Sequence, residues 1–169
     1  MQQLASEQET RVGDPPEFDE WVAARGRSLL RLAYVLTGNA TDAEDVVQDA
    51  LSRALPRWSR IATVEDPDAY LRRMVINAHT SSWRKFRRRE SPVSEVLGTS
   101  VEAVLPDDAL WQACRRLPEP LRTSVVLRYY EDLDYAAIAE LTGVREGSVR
   151  SRVSRGIALL RTELGDEHE

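Results

Sequence analysis

Cysteine is nearly missing from this 169-residue chain: Cys114 stands alone, so an intramolecular disulfide is excluded. Two histidines, His79 and His168, are too few to build a dedicated zinc site with it. Hydrophobic runs are short. Leu32 to Leu36 is as long as any, against the roughly 20 residues that span a bilayer. No apolar stretch follows the polar N-terminus closely enough to act as a secretory signal. There is no Gly-rich phosphate loop with Lys and Ser or Thr, and no Ser/His/Asp or Cys/His set with members to spare. His79 is expected to stack or pack rather than catalyse, and Cys114 to be a small buried hydrophobe. Enzyme, metalloprotein, disulfide scaffold and membrane span are thereby set aside. A soluble cytoplasmic protein with no cofactor, no metal and no membrane insertion is expected.

Lysine is scarce too, Lys85 being the only one among 23 basic residues. Arginine suits bidentate phosphate and base contacts, although a GC-rich coding sequence accounts for the bias more simply. The net charge of −5 argues at first against nucleic acid, but the charge is segregated. Seven basic residues and no acid lie between Arg72 and Arg89, and five arginines against one acid between Arg145 and Arg161. Acid gathers in the N-terminal tail, in Asp42 to Asp49 and in the last four residues. A polyanion responds to local patches, so the basic stretches count for more than the total.

The periodicity predicts an all-α chain of two small helical domains joined by a flexible linker. Residues 1–16 read as a disordered tail, 17–90 as a first domain, 91–107 as the linker, 108–164 as a second domain and 165–169 as an acidic tail. A first helix from Phe18 to about Leu36 puts Phe18, Trp21, Val22, Arg25, Leu29, Leu32 and Val35 on one broad face, and Gly38–Asn39 stops it. Thr41 and Glu44 have the spacing of a capping box for the next helix, which runs to about Arg57. That helix buries Val46, Val47, Ala50, Leu51 and Ala54. Asp66–Pro67 starts a third, carrying Tyr70, Leu71, Met74, Val75 and Ala78. The linker has Pro92, Gly98 and Pro106 with no basic residue.

The second domain reads as a helix-turn-helix. Asp134 caps a first helix with small and apolar residues Ala136, Ile138, Ala139 and Leu141, and Gly143 makes the turn. On the second helix Val149, Val153, Ile157 and Leu160 form the buried stripe. Arg150, Ser151, Ser154 and Arg155 then face outward, a surface suited to a DNA major groove. A solvated arginine face on a plain helical hairpin is the weaker alternative.

In the first domain, Trp83 and Phe86 are interleaved with Arg84, Lys85, Arg87, Arg88 and Arg89. Aromatics among arginines suit unstacked bases on a single strand, yet for this helix alone buried aromatics with solvated arginines is the better reading. Asn77, at the end of an apolar helix, can hydrogen-bond a base edge.

Five motifs in order carry a family resemblance: Asp-Ala-Glu-Asp-Val-Val-Gln-Asp-Ala-Leu (42–51), Tyr-Leu-Arg-Arg-Met-Val-Ile-Asn (70–77), Leu-Pro-Glu-Pro-Leu-Arg (117–122), Val-Leu-Arg-Tyr-Tyr-Glu-Asp-Leu (126–133) and Gly-Ser-Val-Arg-Ser-Arg (147–152). Over residues 17 to 164 the chain resembles bacterial RNA polymerase sigma factors of the extracytoplasmic-function group, which keep only sigma domains 2 and 4. The resemblance implies a transcription initiation factor that binds core RNA polymerase and promoter DNA, both duplex and melted strand. It implies that Asp42, Asp45, Gln48, Asp49 and Ser52 meet the clamp helices of the polymerase largest subunit, and that domain 4 meets the flap of the second largest. It assigns melting and reading of the −10 element to Asn77, Trp83, Arg84, Lys85, Arg87 and Arg88, with Asn77 and Trp83 at the pocket for a flipped base. Arg150, Ser151, Ser154 and Arg155 are assigned to the −35 element, and an anti-sigma protein is the expected regulator.

The chain departs from the family in places. Ser81 stands where many members carry an aspartate, Ser148 where threonine is usual, Arg145 where a capping serine is common and Ser154 where some carry an aromatic residue. Promoter sequence therefore does not transfer from any relative. The competing reading is a stand-alone helix-turn-helix regulator that binds duplex DNA without polymerase.

Overall fold

Gly38 and Gly143 each end a helix with φ +69°, a hand that glycine adopts without a Cβ penalty. The computed structural model describes residues 15–86 and 109–166, with residues 82–86 and 166 described in backbone only. The expected linker 91–107 lies outside the described residues.

Helix α1 (Phe18–Thr37) ends where the Gly38 N–H donates to the Tyr34 carbonyl at 2.7 Å. Helix α2 (Ala40–Ala54) follows after two residues, and its cap is Asn39, whose Oδ1 accepts from the Asp42 N–H at 3.0 Å. The Thr41 box expected from the sequence is not the cap. The left-handed Gly38 turns the chain so abruptly that Asn39 is already in the extended capping conformation, and Thr41 falls inside the first helical turn. A 3₁₀ turn (Leu55–Arg57) and the short α3 (Trp58–Ile61) lead to α4 (Pro67–Phe86), where Asp66 accepts from the Ala69 N–H as its sequence position predicts. Then come α5 (Ala109–Arg116), α6 (Glu119–Tyr129), α7 (Tyr135–Thr142) and α8 (Glu146–Asp166). Asp134 caps α7, accepting from the Ala137 N–H at 2.7 Å. The described residues contain no strand.

Trp21, Phe18 and Trp58 cluster near the start of α1, with ring centroids 5.3 and 5.5 Å apart. The indole N–H of Trp21 donates to Asp68, which also pairs with Arg25, so Arg25 lies at the rim and not in the apolar face. Tyr70, assigned to the buried stripe of α4 by periodicity, is exposed; Leu71, Val75 and Ala78 carry that stripe.

The helices from both halves share a hydrophobic cluster. Leu32, Leu36, Val47, Leu71 and Val75 belong to it, and so do Val126, Leu127, Ile138 and Val149. Leu32 through Leu36 are all buried, because α2, α4, α5 and α6 all pack against α1. Each such leucine contributes about 1.5–3 kcal/mol by leaving water.

Candidate functional site

Helix α2 separates its faces cleanly. Ala43, Val46, Val47, Ala50 and Ala54 are buried and Leu51 is half-buried. Asp42, Asp45, Gln48, Asp49 and Ser52 are all exposed, and their spacing places them along one face. Partial burial, with the nearby Asp45 charge adding to it, raises the Asp42 carboxyl above its ordinary value. Asp49 accepts from Arg53 one turn on, at 3.2 Å. The strip is acidic and exposed.

Helix α8 presents the opposite charge. Val149, Val153 and Leu160 are buried, and Gly156 faces α6 so closely that an added Cβ would lie 2.6 Å from Val125 Cγ2. Arg150, Ser151, Ser154 and Arg155 are exposed together. Arg150 pairs with Glu146 at 2.6 Å, and Arg155 Nε lies 3.4 Å from the Ser151 carbonyl.

Helix α4 carries the third group, and it meets the other half of the molecule through Arg72 and His79. Asn77 is exposed, while Ala78, His79 and Thr80 beside it are buried. Trp83, Arg84 and Lys85 lie on the same helix, but their side chains are outside the described residues, as are Arg87 and Arg88 altogether. Among the described residues, therefore, the basic and aromatic group of α4 is located in backbone only.

The seam itself is polar and specific. Arg122, 8% exposed, donates from Nε to the Leu36 carbonyl at 3.0 Å and from its terminal nitrogens to Thr37, Arg115 and Leu117 at 2.8, 3.1 and 3.2 Å. It thus satisfies carbonyls at the end of α1 and of α5 at once. Burial lowers its pKa, with Glu119 opposing, yet a guanidinium keeps its proton in proteins. His79 Nε2 and Thr123 Oγ1 are hydrogen-bonded at 3.1 Å. Glu119 approaches the same ring nitrogen at 3.6 Å, but burial, aided by the Arg122 charge, outweighs it and pushes the imidazole down to about 4. At the other end of the seam Arg72 grips Glu131 through two hydrogen bonds, which raise the Arg72 pKa, and lies 5.9 Å from the Tyr130 ring. A small cleft beside the His79–Thr123 contact is lined by these two residues with Thr80, Pro120, Thr142 and Arg152.

Sigma-70 region 2 matches residues 21–90 and Sigma-70, region 4 matches residues 107–160. The chain belongs to the sigma-70 family of RNA polymerase sigma factors. It is similar to the RNA polymerase sigma-E factor of Streptomyces avermitilis, 36% identical over 156 residues that cover 90% of this chain and 87% of the relative. The ECF RNA polymerase sigma factor SigW of Bacillus subtilis is 28% identical over 94% of each chain. Among solved structures, the sigma factor RpoE from Bartonella quintana, in complex with the anti-sigma factor NepR, covers 88% of this chain and 96% of its own, with a TM-score of 0.58 at 24% identity. That likeness shows the fold. As a member of the extracytoplasmic-function group, this sigma factor is a transcription initiation factor.

The sequence singled out the two exposed faces of the sigma factor but missed the seam. Arg122 lies within one of the five motifs, yet nothing in an amphipathic pattern says that an arginine is buried. The run Arg122-Thr123-Ser124, all buried, breaks the pattern of a solvated polar face, and this was the available signal. Cys114 and His79 are buried as expected.

Proposed function

We propose that this sigma factor divides promoter recognition between residues 17–90 and 108–164, with 91–107 as their tether. The acidic strip Asp42, Asp45, Gln48, Asp49 and Ser52 binds the clamp helices of the polymerase largest subunit. Asn77, Trp83, Arg84, Lys85, Arg87 and Arg88 melt and read the −10 element. Arg150, Ser151, Ser154 and Arg155 read the −35 duplex, while the C-terminal half also meets the polymerase flap. The chain works by binding the melted strand in preference to the duplex, and the polymerase supplies all chemistry. The observation that carries this reading is the pairing, in one chain, of an open acidic strip on α2 with an open arginine and serine face on α8. A stand-alone duplex-binding regulator would have no use for the first, and the presence of region 2 beside region 4 removes its support.

Elements centred near −35 and −10 are separated by about 25 base pairs, or about 85 Å of B-DNA at 3.4 Å per step. A compact chain of this size has a radius of gyration of about 15 Å, so the packed arrangement does not reach both. Opening of the seam therefore belongs to the function, and the closed form is the one an anti-sigma protein would find or stabilise. RpoE is seen bound to such a protein. The test is to mix the chain with core polymerase from the same organism and transcribe genomic fragments. Complex formation with initiation at discrete start sites is expected. Duplex binding without core association or initiation would refute the proposal.

A further inference from the structure

Tyr135, the first residue of α7, carries a guanidinium from each of its neighbouring helices. Arg150 of α8 lies 4.5 Å from the ring centroid and Arg128 of α6 lies 5.4 Å from it. We propose that Tyr135 is a positioning residue for −35 recognition, its ring holding the Arg150 guanidinium in place before DNA arrives. The proposal rests on the reading of Arg150 as a base-reading residue.

Two contacts define the guanidinium. Glu146, one turn earlier on the same helix, accepts from a terminal nitrogen at 2.6 Å, and the Tyr135 ring supplies a face on which the planar group rests. The other Arg150 nitrogens have no hydrogen-bond partner among the described residues, so the fork stays available to a guanine edge. An unrestrained arginine on an exposed helix face loses much rotamer freedom when it docks. Restraint beforehand removes part of that loss and fixes which base step the fork meets.

Arg155 is the internal contrast. It is also exposed, but among the described residues it is restrained only by a long contact to the Ser151 carbonyl, and no ring lies beneath it. Tyr135 should therefore govern the base pair read by Arg150 and leave the one read by Arg155 alone. Arg128 reaches the same ring from α6, where the Leu133 carbonyl at 3.4 Å and Asp132 at 3.7 Å hold it.

The experiment uses the full chain assembled with core polymerase and a fluorescent duplex bearing the −35 element recovered by transcription of genomic fragments. Binding is compared for that duplex and for variants with each −35 base pair replaced. Tyr135→Leu, which keeps an apolar side chain against the core, should cut discrimination about 5- to 10-fold at the base pair that Arg150→Ala also relaxes. Tyr135→Phe should restore it, and discrimination at the Arg155→Ala-sensitive pair should be unchanged in both. Unaltered discrimination in Tyr135→Leu, with Arg150→Ala impaired, overturns the platform while the Arg150 reading stands. No effect of Arg150→Ala overturns the Arg150 reading and the platform with it. A uniform loss at every position in Tyr135→Leu assigns the residue to the stability of α7 and also overturns the proposal.

Discussion

Arg122 Nε donates to the carbonyl oxygen of Leu36, 86 residues earlier in the chain, at 3.0 Å, and so closes the C-terminus of α1 from the other half of the molecule. The glycine that ends α1 is part of the same contact, since a Cβ on Gly38 would lie 3.0 Å from an Arg122 terminal nitrogen. Arg122→Ala should therefore expose buried carbonyls, at about 1–3 kcal/mol for each one left without a partner. The expected outcome is a larger radius of gyration in small-angle scattering and a lower unfolding midpoint. Gly38→Ala should act in the same direction, adding about 1–3 kcal/mol of backbone strain. An unchanged radius in both variants would mean that the shared apolar cluster holds the seam by itself.

The two exposed faces should separate by mutation. If Arg150 and Arg155 read bases as proposed, Arg150→Ala and Arg155→Ala should each cost about 1–3 kcal/mol of discrimination and weaken −35 binding while leaving assembly with core polymerase intact. Asp45→Arg and Gln48→Ala should weaken assembly and leave the affinity of the isolated chain for duplex unchanged. Titration of labelled core and labelled duplex against each variant reads both. If all four damaged only duplex binding, the acidic strip would be an ordinary solvated helix face.

Acid should loosen the seam through His79. Its folded pKa of about 4 lies below the ordinary 6.5, so above pH 6.5 the ring is neutral whether folded or unfolded and contributes no slope. Below that, the unfolded chain takes up a proton that the folded chain refuses. Stability then falls by about 1.4 kcal/mol per pH unit, to a total of about 3 kcal/mol near pH 4. The groups facing the ring are Glu119, Arg122 and Thr123. Denaturant midpoints measured from pH 7 to 5 should decline in the native chain and run nearly flat in His79→Gln.

Gly156→Ala should destabilise, although alanine is the better helix former by about 1 kcal/mol. The added methyl would meet the buried Val125 side chain at 2.6 Å, and overpacking of a filled core costs about 1–3 kcal/mol. Thermal unfolding decides the sign. Gly147 offers the control, because a Cβ there meets nothing within 4 Å, and Gly147→Ala should be neutral or mildly stabilising.

Local signals proved the most legible part of the fold. Asp66 and Asp134 cap helices because their carboxylates sit three residues before amides that need an acceptor, a relation contained in the sequence itself. The outward faces of α2 and α8 followed from spacing alone. Thr41 misled because two good caps lie two residues apart, and the choice depended on the hand of Gly38. Tyr70 misled because it sits at the edge of the stripe, about 100° round the helix from Leu71, which is fully buried at the same level. The seam was illegible for a different reason. Its partners are separated by 44 residues for His79 and Thr123 and by 59 for Arg72 and Glu131, and no periodicity within a helix encodes a contact between distant helices. Beside Arg122-Thr123-Ser124, the apolar run Leu32 to Leu36 was a trace of it, being too apolar for a helix with a wet side.

A seam within one chain is a competitor that dilution cannot weaken. If roughly one molecule in a hundred is open, the apparent affinity for a promoter that needs both halves falls roughly a hundredfold below the intrinsic one. Raising the amount of sigma factor multiplies open and closed molecules alike and leaves that ratio where it was. Only a ligand with a preference for the open form changes it, and core polymerase is the ligand that such a preference would reward.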